Sequence, residues 1–197
     1  MPEPTTLRAL EGMPAVPAPL ADSTLIMIDL QNTYTRGVME LENVQAAVDQ
    51  AVELLDRARS AGTPVIHIMH DGGAGSPYDV RDDIGQIVDR VAPRAGEPVI
   101  VKNFPNAFTG TDLDERLEAG SNPVLAGFMT HMCVNSTARG AFSLGHHPAV
   151  VASTTATRAL PGAAGSPVSA AALQAASLAA VADLFGIVVA TPADIPG

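Results

Sequence analysis

Residues 122–145, NPVLAGFMTHMCVNSTARGAFSLG, decide the fold. The opening NPVLAGF is apolar without polar alternation, the pattern of a strand covered on both faces, as in a parallel sheet. THMCVNSTARGAFSLG follows at once and reads as a helix closed by Gly145.

The same grammar recurs on either side. STLIMIDL is an apolar strand, Thr24–Ile28, that ends in Asp29 and a QNTYTRG loop. Residues 42–61 carry Val44, Ala47, Val48, Ala51, Leu54, Leu55 and Ala58, a helical stripe closed by Gly62. TPVIHIM (63–69) is a second strand, HDGGAGSPYD a glycine-rich loop, and 82–91 a short helical segment. EPVIVK is a third strand ending at Lys102, followed by a loop, NFPNAFTGT. DLDERLEAG then reads as a helix with Thr111 or Asp112 as cap. HPAVVAS (147–153), an alanine-rich helix capped by Ser166 or Ser169, and IVVAT complete the pattern. Strands alternating with helical segments give the α/β class: a three-layer α/β/α sandwich on a six-stranded, mostly parallel sheet. The sequence divides into an extended, Pro-rich arm, residues 1–22, on the surface or on a neighbouring subunit, and one domain, residues 23–197.

The whole-chain numbers narrow the function. At 197 residues, 47% hydrophobic and 16% charged, the chain has a globular composition. A net charge of -10 repels phosphate backbones and anionic lipid, which disfavours nucleic acid and membrane partners. No apolar run reaches the roughly 18 to 20 residues a span needs, and the N-terminus lacks the basic start and apolar core of a secretory signal. The single cysteine, Cys133, forms no internal disulfide, which fits a reducing, cytoplasmic setting. Lys102 is the single lysine among 11 basic residues. In an arginine-rich composition that is notable, because a compact ammonium fits a tight site where a guanidinium fork does not.

In a parallel sheet, ligands bind beyond the carboxyl ends of the strands. Asp29, Lys102 and the 128–133 segment each follow a different strand there, so a base, a cation and a nucleophile converge on one edge. Cys133 near a helix start has free N–H groups and a partial positive charge to favour thiolate. Each residue also has a plainer reading: a small core cysteine, a strand-end carboxylate, an exposed lysine.

Three blocks, IMIDLQN, VKNFPNAFTGTDL and AGFMTHMCVNSTARGAF, resemble the signatures of the isochorismatase-like cysteine hydrolases, a superfamily with a Rossmann-like fold. It includes nicotinamidases, ureidoacrylate, biuret and N-carbamoyl amidohydrolases, and isochorismatase itself. The resemblance implies Asp29 as general acid/base, Lys102 as catalytic lysine and Cys133 as nucleophile. It also implies that Gln31 braces the loop, and that a cis Phe128–Met129 peptide turns the Met129 N–H to form an oxyanion hole with the Cys133 N–H. On these roles the chain is expected to cleave a C–N bond of a small amide, ureide or carbamoyl compound through a thioester. The family is usually oligomeric, so a homo-oligomer, dimer or tetramer, is expected.

Nicotinamidases hold a metal with an Asp-x-His pair and a further histidine. QNTYTRGVMELEN after Asp29 has no histidine, and His67, His70, His146 and His147 lack ligand spacing with carboxylates. The expectation is no metal and no cofactor. The expected pocket comprises Gln31, Tyr34, Phe104, Phe108, Phe128 and His131, with core packing as the rival role for Phe128 and a subunit contact for His131. His67 and His70 are open between pocket and core, and residues 72–76 between lid and plain connection. Isochorismatases that cleave a vinyl ether lack the cysteine, so Cys133 argues for C–N cleavage over that alternative. A non-catalytic binding protein on the same fold is the other rival. A redox sensor is disfavoured by the lack of a resolving cysteine.

Overall fold

The computed structural model describes residues 4–163 and 165–197. Its six strands are β1 (Thr24–Ile28), β2 (Val65–His70), β3 (Val99–Lys102), β4 (Pro123–Phe128), β5 (Ala149–Ala156) and β6 (Ile187–Val189). They form one sheet in the order β3-β2-β1-β4-β5-β6, with every neighbouring pair parallel. The sheet is thus the expected α/β sheet, and parallel throughout. Its buried strands alternate between two cores rather than between core and water. Leu25 and Met27 enter one, Ile26 and Ile28 the other. Full burial of each such side chain contributes about 1.5–3 kcal/mol.

Four helices, α1 (Leu7–Leu10), α2 (Val44–Ala61), α3 (Asn135–Ser143) and α4 (Ala170–Ala180), complete the architecture. The α2 stripe, Val44 to Ala58, is buried as its spacing dictates, and Gly62 ends the helix at φ 72°. On the other face, Ala138 of α3 packs with Ile26, Ile68 and Leu125. Of the two cap candidates for α4, Ser169 serves: its hydroxyl accepts from the Ala172 N–H at 3.2 Å.

Several boundaries differ from the sequence reading. The 82–91 segment is not one helix but two 3₁₀ turns, Asp83–Gly85 and Asp89–Val91. DLDERLEAG yields only the turn Asp114–Arg116. Two buried leucines, Leu113 and Leu117, suffice to dock that segment, and its other side chains are largely charged. The arm is not wholly extended. Thr6 caps the α1 turn, the Leu7 N–H donates to Asp183 at 3.0 Å, and Leu20 is 1% exposed in the core. The arm therefore packs on this chain's own C-terminal region. The 130–145 helix opens with a π turn, Thr130–Val134, before α3 begins.

Candidate active site

Because all strands are parallel, their carboxyl ends share one edge, and that edge gathers Asp29, His70, Lys102 and the turn holding Cys133. Asp29 has φ 50°, the left-handed region that Asp tolerates better than most residues, and its N–H donates to Ile68 O at 3.0 Å. A strained backbone at a fully buried carboxylate is a common mark of a working site. Beside it Gly127, at φ 128°, lies against β1 so closely that a Cβ would stand 1.9 Å from Ile28 O. Only glycine lets β4 deliver the Cys133 turn this near to Asp29.

Lys102 projects from the end of β3 on the same sheet face as buried Ile100. Its Nζ donates to Asp29 Oδ2 at 2.7 Å and to Cys133 Sγ at 3.4 Å. The Asp29 and Lys102 side chains are both 0% exposed, and Cys133 is 4% exposed. The second oxygen, Asp29 Oδ1, is buried without a hydrogen-bond partner. The three residues singled out from strand ends therefore meet. The Phe128–Met129 peptide is cis.

The electrostatics describe a resting thiol. Burial, and then the charge of Asp29, push the Cys133 thiol up to about 12, while Lys102 pulls the other way. Asp29 is raised above the ordinary carboxylate range by burial, with Lys102 opposing. Cys133 does lie in the first turn of its helix, but burial outweighs the partial positive charge there and the thiol rests protonated. Asp29, raised above its ordinary range and within hydrogen-bonding reach of the thiol, is near enough to take its proton.

The expected pocket is only partly present. Gln31 is fully buried with its amide spent on backbone: Nε2 donates to His70 O and Gly85 O, and Oε1 accepts from His70 N–H. It is a brace, not a pocket wall. Phe128 is core, edge-on to Tyr34 at 5.8 Å, and Tyr34 is itself buried against Tyr78. Phe108 leaves the site altogether, stacking on His146 and packing into the core on the α3 side. Phe104 is 55% exposed. His131 is half-buried, with Nδ1 2.5 Å from Thr157 Oγ1.

Three residues replace them. His70 ends β2 with Nδ1 3.4 Å from Lys102 Nζ. Tyr78, from the glycine-rich loop, sits edge-on to His70 at 5.3 Å. Arg158, two residues beyond β5, has a buried Nε without a partner and makes no ion pair or hydrogen bond among the described residues. Its charge works against burial at Tyr78, which stays raised, and with burial at His131, which is lowered. Of the other histidines, His67 is buried against Glu97, and His146 lies between Ser121 and Asp114. Among the described residues no group of three or more His, Cys, Asp and Glu is arranged to hold a metal, and no helix is long and apolar enough to cross a membrane.

Comparison with known proteins places the chain among relatives. Residues 23–193 match the family described as isochorismatase domain. A secreted isochorismatase effector of Verticillium dahliae is 34% identical over 190 residues, 95% of this chain and 97% of that protein. A maleamate amidohydrolase of Pseudomonas putida is 33% identical over 152 residues, 64% of this chain and 68% of its own. A solved structure described as an isochorismatase from Pseudomonas putida superimposes with TM-score 0.92 at 37% identity, covering 98% of this chain and 99% of that one.

Proposed function

The chain belongs to the isochorismatase family, and from that premise we propose that it is a cysteine-dependent amidohydrolase acting on a small, acid-bearing amide. The observation that carries the reading is the buried lysine bridging Asp29 Oδ2 and Cys133 Sγ while Asp29 Oδ1 stands unpartnered. A structural ion pair has no use for a thiol and a vacant oxygen at its centre.

Asp29 takes the Cys133 proton as the sulfur attacks the carbonyl carbon, and the carbonyl π pair moves onto oxygen. The N–H groups of Met129 and Cys133 are assigned to that oxyanion, where one donor is typically worth about 3–4 kcal/mol. Collapse breaks the C–N bond, and the nitrogen leaves with the proton held by Asp29. Water, deprotonated by Asp29, then attacks the thioester, and the sulfur recovers its proton. Lys102, which bridges both, steadies whichever of Asp29 or Cys133 carries the negative charge.

Arg158 supports an acid group on the substrate: a guanidinium at the reactive edge, unpaired among the described residues, calls for a carboxylate from outside. Maleamate, in the name of one relative, is such an amide acid. The buried, unbridged cysteine supports a reducing, cytoplasmic setting, and a homo-oligomer, dimer or tetramer, belongs to the same reading, to be read by sedimentation. Vinyl-ether cleavage is the rival, favoured by the relative named an isochorismatase effector. Ammonia release from a panel of small amide acids decides between them. Release expected from wild type, lost in Cys133→Ala and weakened mainly through KM in Arg158→Gln, supports the amidase. Turnover in Cys133→Ala contradicts it.

A further inference from the structure

Lys102 has a third contact that the mechanism above leaves unused. Its Nζ lies 3.4 Å from His70 Nδ1, in addition to Asp29 and Cys133. An ammonium has three donors and no acceptor, so at this contact Nδ1 is the acceptor and carries no proton. The ring proton of the neutral imidazole then resides on Nε2, which makes no hydrogen bond among the described residues. His70 is also the one residue of β2 that is not fully buried. Its backbone is clamped on both sides by Gln31, and its ring is steadied by Tyr78. Burial first, then Lys102, lower its pKa, with Asp29 and Asp71 opposing, so the ring is neutral at neutral pH.

The sheet order gives this donor a place in the reaction. Cys133 follows β4, Asp29 follows β1, and His70 ends β2, in that spatial sequence. Arg158 follows β5 on the far side of Cys133. A scissile nitrogen that is to receive its proton from Asp29 faces β1, and whatever is attached to that nitrogen extends toward β2. With strands about 4.8 Å apart, β2 and β5 are separated by roughly 14 Å, enough to hold the two halves of a small substrate on opposite sides of the nucleophile.

We propose that the His70 Nε2–H is a specificity-determining donor for an acceptor oxygen on the departing half of the substrate. The enzyme then prefers an amide acid whose leaving group carries a carbonyl, as in an acyl urea, over a primary amide that releases ammonia. The inference rests on the amidohydrolase reading and adds the leaving-group class to it.

A matched pair of compounds tests it: succinamate, which releases ammonia, and N-succinylurea, which shares its acyl acid half and releases urea. Wild type is expected to favour N-succinylurea in kcat/KM by about tenfold or more. In His70→Asn the side-chain oxygen can still accept from Lys102 but the distal donor is gone. That variant is expected to lose about tenfold more kcat/KM on N-succinylurea than on succinamate, abolishing the preference, and His70→Gln, which restores a distal N–H, to recover part of it. An equal loss on both compounds in His70→Asn would show that His70 only positions Lys102 and would overturn the proposal. The ¹⁵N NMR signals of His70, assigned by the same variant, read the tautomer without turnover. The Nε2–H form is expected at pH 7.5, and the Nδ1–H form overturns the proposal even if both compounds are hydrolysed. If neither compound is hydrolysed while another small amide acid is, the leaving-group preference fails and the hydrolase reading stands; if no amide acid acylates Cys133, the hydrolase reading fails, and the tautomer measurement keeps the two results distinct.

Discussion

Two clusters in this molecule, one fully and one partly buried, are made of the same parts, a carboxylate, a cation and a histidine, and they behave oppositely. Glu97 accepts from Arg59 Nε at 2.8 Å and Nη2 at 2.7 Å, from the Arg94 N–H at 2.8 Å, and pairs with His67 at 3.0 Å. Both its oxygens are engaged, and the Arg59 hydrogen bonds lead in holding it down to about 2. Asp29 has one ion-pair partner, a thiol close enough to hydrogen-bond to it, and an oxygen that no other group satisfies, and burial drives it upward. Saturation marks a clip that ties α2 to the sheet. On the proposed mechanism that remaining acceptor receives the thiol proton, and leaving it without another donor costs about 1–3 kcal/mol of stability.

The largest expected effect separates the clusters outright. Cys133→Ala should lower amide turnover by at least about a thousandfold with the fold intact by circular dichroism. Next, the double variant Asp29→Asn with Lys102→Met should be equally inactive, because these residues act as a unit. It should nevertheless melt at or above the temperature of Lys102→Met alone, since removing a whole buried ion pair is often neutral or stabilising while removing half strands a charge. Glu97→Gln should do the reverse. Its kcat/KM stays within about twofold of wild type, while chemical denaturation shows a loss of about 1–3 kcal/mol as Arg59 loses its charged partner and one of two acceptor oxygens becomes an NH₂ donor.

The smallest effect is the pH dependence of that last difference. Glu97 has a folded-state pKa below its ordinary value, so its stabilisation is present above the usual glutamate range and is lost as pH falls toward about 2. The gap between wild type and Glu97→Gln should close across that window. For Cys133 the sign is opposite: a thiol raised to about 12 in the folded state makes wild type lose stability relative to Cys133→Ala as pH climbs from about 9.

What the chain disclosed in advance follows from which forces are local. Unalternated apolar runs identified all six strands, and strand ends located Asp29, Lys102 and the Cys133 turn, because a parallel sheet leaves its reactive edge there. The same rule points to His70, which ends β2 one residue beyond the expected boundary. Arg158 escaped because β5 runs on through polar Ser153, Thr154 and Thr155 to Ala156, so the strand seemed to stop earlier. Phe108 was misplaced because nothing within NFPNAFTGT says which side of the sheet its ring will choose. Tyr78 depends on how a glycine-rich loop folds back, a tertiary matter with no periodic trace.

On the proposed mechanism the unsaturated cluster makes Cys133 a nucleophile through Asp29. Intact-mass spectrometry of the enzyme quenched during turnover of an amide acid tests it most directly. A mass gain equal to the acyl half, mapped to Cys133 and absent from Asp29→Asn under the same brief exposure, is the predicted result. Turnover without an adduct in a Cys133→Ala enzyme, or an adduct that forms as fast in Asp29→Asn, would contradict it.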